Sequence, residues 1–319
     1  MTVALVAREW LAAGLCSHDR VFRALDRAIG ARRGGMILAF HDLPTESFVE
    51  QIDALGRERI VPLDELVTRL GAGKPTTGLL ALTFDDGVGT VTRQVAAMAV
   101  RYQVPVTCYV PTAYLDDPGA LTFQAWERVR VRLPRSELRL RTRLLDLRSE
   151  RAMAAFVAEI THKLYARREE EFLPLVHELG DYLVDHGHAT REDLRHPAPI
   201  SWDEVTALSR DPLIRFESHG VSHRAMTGLN AKEIAQELRL SQQSIEAHTG
   251  TRCRHFCYPY GSLESIGREA PALVREHYDS AVTMVRGRIG RQDPALLPRV
   301  PLYARDTGNV ARLKAITAR

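Results

Sequence analysis

The sequence predicts an α/β fold, in which short strands alternate with helices around a parallel sheet or barrel. Its strand-like segments are short apolar runs, and they are MILAF (36–40), GLLALTF (78–84), VPVTCYV (104–110), LIRFES (213–218), RHFCY (254–258) and SAVTMV (280–285). Helical patterns such as FVEQIDALGRE and AKEIAQELRLSQQSIEAH lie between them. Asn230 precedes the second pattern and Glu233 follows three residues later, which is the spacing of a helix-capping box.

The alternation begins after residue 34 and is interrupted between residues 116 and 200. The amphipathic stretch VFRALDRAIGARR, closed by two glycines, predicts an N-terminal helical extension over 1–34. Residues 116–200 hold a long charged helical stretch, LLDLRSERAMAAFVAEITHKLYARREEEFLPLVHELGDYLVDHG. Before it, RVRVRLPRSELRLRTRLL alternates with period two, which predicts a half-buried hairpin with an arginine face. We therefore expect a single barrel over 35–319, interrupted by a helical insertion over 116–200.

The composition excludes a disordered chain, a collagen-like repeat and a low-complexity array. With 319 residues, 45% hydrophobic and 26% charged, the chain resembles ordinary globular proteins of one large or two small domains. A net charge of +3 gives no overall field of the kind that nucleic-acid-binding proteins carry, so we expect no nucleic-acid partner.

Arginine supplies 39 of the 43 basic residues, and nine arginines fall between 128 and 151. A coding bias explains the excess, and selection for anion contacts is the alternative. The clustered arginines form either a solvated face or a site for a phosphate-bearing substrate or an anionic membrane surface.

The sequence favours a cytoplasmic protein, with peripheral contact at the inner membrane face as an alternative. No apolar run reaches the roughly 18 residues of a membrane span, and Arg8 and Glu9 interrupt the apolar start, which makes it a poor secretory signal. The cysteines form no paired framework, and they are Cys16, Cys108, Cys253 and Cys257. Two of them flank His255, but without a CxxC spacing or a second pair, buried free thiols are favoured over a zinc site.

Residues capable of chemistry follow four of the strand-like runs. MILAF runs into His41, GLLALTF into Asp85 and Asp86, LIRFES into the segment 219–223, and RHFC into the segment 258–261. Sites in parallel α/β folds lie beyond the carboxyl ends of the strands. The four clusters therefore predict one site on one face.

His219 and His223 are four residues apart, so on a helical turn both imidazoles can grip one metal ion. Asp85 and Asp86 are candidates for a third ligand and for a base that takes a proton from metal-bound water. Alone, the histidine pair is as consistent with a structural role, and Asp-Asp-Gly is also common in turns. A phosphatase of the haloacid dehalogenase type is excluded, because Phe84 stands where its nucleophilic aspartate would be.

Three motifs carry a resemblance to a known family. TFDDG (83–87), HGVSH (219–223) and YPYG (258–261) resemble the first three motifs of the polysaccharide deacetylases, the NodB-type carbohydrate esterases. The resemblance extends over residues 36–115 and 200–303. It implies a distorted (β/α)7-type barrel and a metal-dependent hydrolase that removes an N-acyl group, N-acetyl above all, from an amino sugar.

The resemblance also assigns roles to individual residues. Asp85 matches the general base, and the ligands of one divalent ion are Asp86, His219 and His223. The ion is usually Zn²⁺, with Co²⁺ or another divalent ion accepted. The groove-lining, substrate-binding segment is Tyr258, Pro259, Tyr260 and Gly261. The backbone N–H of Tyr260 would help to hold the oxyanion of the tetrahedral intermediate.

The chain departs from the family pattern in three places. Gly220 stands where Ser or Thr usually braces the second motif, and Cys257 stands where an arginine often orients the base. Arg299, in LLPRVPLY, is our candidate to replace that arginine, with a surface ion pair as the alternative. The last 20 residues lack the usual general-acid histidine, so we assign that role to His41, as in permuted members of the family.

Several readings of the substrate stay open. A cytoplasmic location favours a nucleotide-sugar or a lipid-linked sugar over an exported polymer, and an N-acetylated oligosaccharide is a further candidate. An O-acetyl esterase, a deformylase or an amidase acting on a non-sugar amide would use the same site. The alternative outside the enzymes is a carbohydrate-binding scaffold protein without catalytic activity. The sequence assigns no oligomeric state.

Overall fold

The computed structural model describes residues 18–41, 45–117, 122–167, 169–290 and 292–318, and seven parallel strands close a barrel at its centre. Around the barrel the order of strands is β1-β2-β3-β6-β7-β8-β9. Their bounds are β1 Met36–Phe40, β2 Leu80–Phe84, β3 Val106–Val110, β6 Ile214–Ser218, β7 His255–Cys257, β8 Ser280–Arg286 and β9 Leu297–Pro301. The predicted barrel of (β/α)7 type is confirmed.

Helices cover the outside of the barrel, which explains why the strands are continuous apolar runs. Every residue of β1, β2 and β3 is buried, as expected for parallel strands that are covered on both faces. The helices outside the 116–200 segment are α1 Asp19–Arg33, α2 Thr45–Leu55, α3 Leu63–Gly71, α4 Gly89–Tyr102, α5 Thr112–Asp116, α9 Trp202–Leu208, α10 Ala231–Thr249, α11 Leu263–Ile266, α12 Ala270–His277 and α13 Gly308–Thr317. The capping box predicted from Asn230 and Glu233 is present at the start of α10.

The last barrel strand, β9, has no counterpart among the predicted strands. It carries Pro298 and Pro301, which cannot donate backbone hydrogen bonds and so argue against a central strand. The register between β8 and β9 is irregular, and β9 pairs with β1 through Leu38 and Val300 to close the barrel. This strand places Arg299 in the barrel interior.

Helix α1 docks on the barrel through a buried ion pair. Asp26 accepts hydrogen bonds from Arg288 and Arg59, and Phe22 packs into the main core beside them. Residues 1–17, which include Cys16 and most of the apolar start, lie outside the described residues. Within the part that the structure describes, no helix has both the length and the apolar character needed to cross a membrane.

The segment between β3 and β6 packs around a core of its own. It contains α6 Thr122–Arg130, the antiparallel strands β4 Glu137–Arg139 and β5 Leu144–Asp146, α7 Glu150–Tyr165 and α8 Glu169–Asp185. Trp126, Ile160 and Phe172 lie at the centre of this second core. The domain boundaries at 34 and at 116–200 stay predictions from the sequence.

The structure corrects two details of this segment. The period-two pattern from Arg128 predicts a strand, but Arg128 and Arg130 end helix α6, because Trp126 and Val129 pack into the second core at helical spacing. Leu144 and Leu145, which belong to both the predicted hairpin and the predicted helical stretch, form β5 together with Asp146, which is predicted as helix. The hairpin is half-buried as expected, but Arg139 shares its outer face with Glu137, Leu144 and Asp146 instead of forming an arginine face.

Candidate active site

The strand ends deliver most of the predicted residues to a single cavity of about 670 Å³. The predicted residues that line it are His41, Asp85, Asp86, His219, His223, Tyr258, Tyr260 and Arg299. They follow or belong to β1, β2, β6, β7 and β9, so the convergence arises from the parallel arrangement of the strands.

Asp86, His219 and His223 bring three atoms that could bind a metal ion close together, and we call these residues the metal donors. The Oδ1 atom of Asp86 lies 3.5 Å from Nε2 of His219 and 3.5 Å from Nε2 of His223. A tetrahedral ion with bonds of about 2.0–2.1 Å holds its ligand atoms roughly 3.4 Å apart. The three donors therefore fit a single divalent ion of the zinc type.

A hydrogen bond behind the donor set fixes the His219 ring. Its Nδ1 lies 2.8 Å from the carbonyl oxygen of Cys257, which can only accept, so Nδ1 carries the proton. The lone pair of a neutral His219 then lies on Nε2, facing Asp86. Such a partner on the far nitrogen is typical of histidines that bind a metal.

Backbone strain concentrates at this site. Of five described non-glycine residues with positive φ, Asp86 (75°), His223 (53°) and Tyr260 (61°) lie here. Left-handed backbone costs a non-glycine residue on the order of 1–3 kcal/mol and persists where the surrounding structure enforces it. The turns after β2, β6 and β7 are therefore held in place to aim these residues at the cavity.

Glu237 on α10 braces the loop between the two histidines. Its Oε2 accepts from the backbone N–H groups of Val221 (2.7 Å) and Ser222 (3.0 Å), and its Oε1 accepts from the Ser222 hydroxyl (2.6 Å). The Ser218 hydroxyl accepts from the N–H of Gly220 at 3.1 Å. These contacts replace the bracing hydroxyl that the sequence lacks at Gly220. No sequence pattern singles out Glu237, which occupies an ordinary position in an amphipathic helix.

Asp85 is held by a buried arginine. Arg299 donates from Nη1 to Oδ1 and from Nη2 to Oδ2 of Asp85, both at 2.8 Å. Both side chains are buried, which excludes the surface ion pair. Burial opposes ionisation of Asp85, but the Arg299 guanidinium more than offsets it and holds the pKa of that carboxyl below its usual value.

Cys257 fills the space beside this ion pair. Its Sγ lies 3.2 Å from Nη2 of Arg299 and 3.7 Å from Oδ2 of Asp85. The donors of Asp85, His219 and Cys257 also lie within 4.8 Å of one another. Burial raises the pKa of the Cys257 thiol, and a protonated thiol is a poor metal ligand. With Asp85 also engaged by Arg299, the set around Asp86 is the better metal site.

His255, which lies between Cys253 and Cys257 in the sequence, makes its contacts at the opposite end of the barrel. His255 contacts Asp64 through Nε2 (2.7 Å) and Ser280 through Nδ1 (2.9 Å). Cys253 and Cys257 are buried free thiols, as predicted, and Cys108 is also a buried free thiol.

His41 lies on the open side of Asp85. Its Nε2 is 3.6 Å from Oδ2 of Asp85, and its side chain is 40% exposed. Asp85 is therefore placed between a fully buried arginine and a histidine that incoming molecules can reach.

The third motif shapes the turn more than it lines the cavity. The Tyr258 ring is buried and its hydroxyl donates to the Ala295 carbonyl at 3.0 Å, so the ring belongs to the core although it borders the cavity. Pro259 and Gly261 are buried behind the cavity wall and are not among its lining residues. Gly261 has φ of 66°, and a Cβ there would lie 2.5 Å from the backbone nitrogen of Met284. Of the four residues, Tyr260 reaches the site best, with its ring 4.9 Å from that of His223.

The segment between β3 and β6 contributes a cavity residue that the sequence does not reveal. Phe123, at the start of α6, stacks on the His223 ring with centroids 4.0 Å apart and planes 16° apart. Tyr165 of α7 contacts Tyr260 at 4.8 Å between ring centroids. The second core therefore supports the cavity wall next to the metal donors.

Comparison with known protein families finds a match that covers most of the chain. The sequence model of the polysaccharide deacetylase family matches residues 72–277, which is more than half of the chain. His41 and Arg299 lie outside the matched segment. None of the curated proteins matches the sequence.

Solved structures share the fold. Streptococcus pyogenes deacetylase PplD, solved in complex with acetate, is 12% identical with a TM-score of 0.55, over 86% of this chain and 95% of PplD. IcaB from Ammonifex degensii is 17% identical with a TM-score of 0.54, over 89% of this chain and 97% of IcaB. The deacetylase domain of BpsB from Bordetella bronchiseptica is 15% identical with a TM-score of 0.52, over 84% and 96% of the respective chains.

Proposed function

Because this chain belongs to the polysaccharide deacetylase family, we propose that it is a metal-dependent hydrolase that removes an N-acetyl group from an amino sugar of a glycan or glycan precursor. The observation that carries the proposal is the arrangement of Asp86, His219 and His223 around one point, directly beside an ionised Asp85. Two histidines, one metal-binding acid and a separate base are the parts that metal-assisted amide hydrolysis requires.

Each residue has a role that follows from its position. A divalent ion, Zn²⁺ or Co²⁺ for example, would polarise the acyl carbonyl and acidify a water molecule when bound by the three donors. Asp85, kept ionised by Arg299, accepts the proton of the attacking water. Arg299 is a positioning residue, since it acts through Asp85.

His41 and Tyr260 complete the scheme on the cavity side. The water oxygen bonds to the acyl carbon, the backbone N–H of Tyr260 supports the resulting oxyanion, and the carbon–nitrogen bond then breaks. His41, which is exposed to the cavity and close to Asp85, donates a proton to the departing nitrogen. The products are a carboxylic acid and a free amine.

The test is hydrolysis by protein reconstituted with Zn²⁺ or Co²⁺, with acetate and free amine measured over acetylated sugars, nucleotide-sugars and oligosaccharides. We expect acetate and amine in equal amounts, and loss of turnover in Asp85→Asn. Formate, a new hydroxyl group or turnover of non-sugar amides alone would instead indicate a deformylase, an O-acetyl esterase or an amidase. A protein that binds sugars but no divalent ion would be a scaffold.

A further inference from the structure

Helix α6 presents two different faces to its surroundings. Ala125, Trp126 and Val129 pack against the second core. The opposite face lines the cavity with Phe123, Gln124, Glu127, Arg128 and Arg130, and Val131, directly after the helix, continues this lining. At 3.6 residues per turn the five helical positions span an arc of roughly 160°. The helix is therefore a wall of the cavity along its whole length.

The two ends of this wall differ in chemistry. Phe123, at the first end, stacks on His223 and so lies at the metal donors. Arg128 lies five residues further along, which is about 7.5 Å along the helix axis. Arg130 and Arg132 also line the cavity at this second end. A single sugar ring with its substituents can span the distance from one end to the other.

Arg128 differs from Arg130 and Arg132 in its hydrogen-bond partners. Arg130 forms two hydrogen bonds to the Glu127 carboxylate, and Arg132 donates to Oδ1 of Asp193 at 3.1 Å. Arg128 donates from Nη1 to the Asp193 carbonyl oxygen at 3.1 Å, and no carboxylate of the described residues lies within 4.0 Å of its guanidinium. Three guanidinium groups thus face two carboxylates at this end of the cavity.

The other arginines of the 128–151 cluster do not share this position. Arg148 pairs with Asp146 at 2.6 Å on the outer side of the hairpin, and Arg139 is exposed there. Neither lines the cavity. Of the nine arginines in the cluster, only Arg128, Arg130 and Arg132 line the cavity, and at this end the positive charge is unbalanced.

We propose that Arg128 binds an oxyanion of the substrate, a phosphate or a carboxylate, while the acyl group lies at the metal donors. The inference rests on the proposed function and narrows its substrate class to anionic N-acylated amino sugars. A guanidinium suits this role because its fork of N–H donors matches the paired oxygens of phosphate and carboxylate groups.

The experiment compares three acetylated substrates that differ in charge: N-acetylglucosamine 1-phosphate, N-acetylmuramic acid and methyl N-acetylglucosaminide. The metal-reconstituted wild type is measured with Arg128→Gln, Arg128→Lys and the control Arg139→Gln, which removes the same charge from the exposed hairpin. The readout is the ratio of kcat/KM for each anionic substrate to that for the neutral one. Thermal midpoints verify that each variant folds.

We expect the ratio to favour at least one anionic substrate in the wild type, to fall about tenfold in Arg128→Gln, and to stay at the wild-type value in Arg139→Gln. The Lys variant should keep part of the preference because it keeps the charge. The anionic substrate with the changed ratio identifies the group as phosphate or carboxylate. An unchanged ratio in Arg128→Gln, or no anionic preference in the wild type, would overturn the proposal.

Calorimetric binding of glucosamine 1-phosphate, muramic acid and glucosamine separates this proposal from the proposed function. If no substrate is hydrolysed but Arg128→Gln weakens binding of an anionic sugar selectively, the function fails and the oxyanion site stands. If hydrolysis proceeds and neither binding nor the kinetic ratio depends on Arg128, the oxyanion site fails and the function stands.

Discussion

The guanidinium of Arg299 and the carboxylate of Asp85 are joined by two parallel hydrogen bonds of 2.8 Å inside the barrel. Further donation from Arg299 Nε to the Thr283 carbonyl (2.9 Å) and from Nη1 to the Thr83 hydroxyl (3.1 Å) fixes the fork. Arg299, in the last barrel strand β9, thus orients Asp85, which directly follows strand β2.

Replacing Arg299 with Gln should lower both stability and turnover. Removing one partner of a buried ion pair costs about 3–5 kcal/mol, because the remaining charge stays buried without compensation. We also expect kcat to fall about 100-fold, since Asp85 loses its fixed orientation. Urea unfolding and steady-state kinetics measure the two effects. Arg139→Gln, an exposed control, should stay within about 0.5 kcal/mol of the wild type. Wild-type kcat in a folded Arg299→Gln protein would contradict the positioning role.

The contact between Cys257 and Arg299 predicts that the function of Arg299 can be transferred to an arginine introduced at position 257. Cys257 Sγ lies 3.2 Å from the Arg299 guanidinium, in the space that an arginine at 257 would enter. The double variant Cys257→Arg/Arg299→Ala should recover at least tenfold in kcat over Arg299→Ala, which corresponds to about 1.4 kcal/mol of coupling between the two positions. Cys257→Arg alone should destabilise the fold, because two guanidinium groups would compete for one carboxylate. A double variant no more active than Arg299→Ala would exclude this interchange.

Because Asp85 is held by Arg299 and is not one of the three proposed metal ligands, we predict that metal binding and turnover can be uncoupled. Protein treated with a chelator should lose hydrolysis and regain it with Zn²⁺, and Zn²⁺ at 100 times its Kd should stabilise the fold by about 2.7 kcal/mol. Asp86→Asn should lose this stabilisation together with activity. Asp85→Asn should keep the stabilisation and lose activity. The measurements are thermal unfolding with and without Zn²⁺ and titration against a chelating dye. A wild-type Zn²⁺ response in Asp86→Asn would remove Asp86 from the ligand set.

The parts of the fold and site that follow strand ends could be predicted from the sequence. Each motif comes directly after an apolar run, and parallel strands bring their carboxyl ends to one edge, so His41, Asp85 and His219 could be expected together. The strand of Arg299 could not, because Pro298 and Pro301 hide it among loop-like residues.

The residues that support the site from neighbouring helices could not be predicted from the sequence, for a different reason. Glu237 and Phe123 lie in helices whose patterns indicate only amphipathic packing. Their roles arise from which loop or ring each helix packs against, and that depends on contacts between segments far apart in the chain. The period-two arginine pattern predicted a strand from Arg128 for a related reason. Residues up to Arg130 form a helix instead, because Trp126 and Val129 pack on the second core at helical spacing.

The stack of Phe123 on His223 predicts that the segment between β3 and β6 affects metal binding. The two rings are nearly parallel with centroids 4.0 Å apart, and Phe123 is 9% exposed. Phe123→Ala should free the His223 ring to turn away from Asp86. We expect Zn²⁺ affinity to fall about tenfold, in the range seen when groups that support metal ligands are lost. Competition with a chelating dye measures the change.

The control for Phe123→Ala is Phe156→Ala, which removes a ring of the same size from the same core. Phe156 packs against Trp126 at 6.0 Å between ring centroids and is not among the residues that line the cavity. Both variants should destabilise the fold by about 3–5 kcal/mol, the usual cost of deleting a buried aromatic ring. Only Phe123→Ala should weaken Zn²⁺ binding, and Phe123→Leu should weaken it less, because leucine still limits rotation of the His223 ring. Equal Zn²⁺ affinities in the two alanine variants would show that the second core contributes only general stability and that His223 is oriented by its own backbone turn.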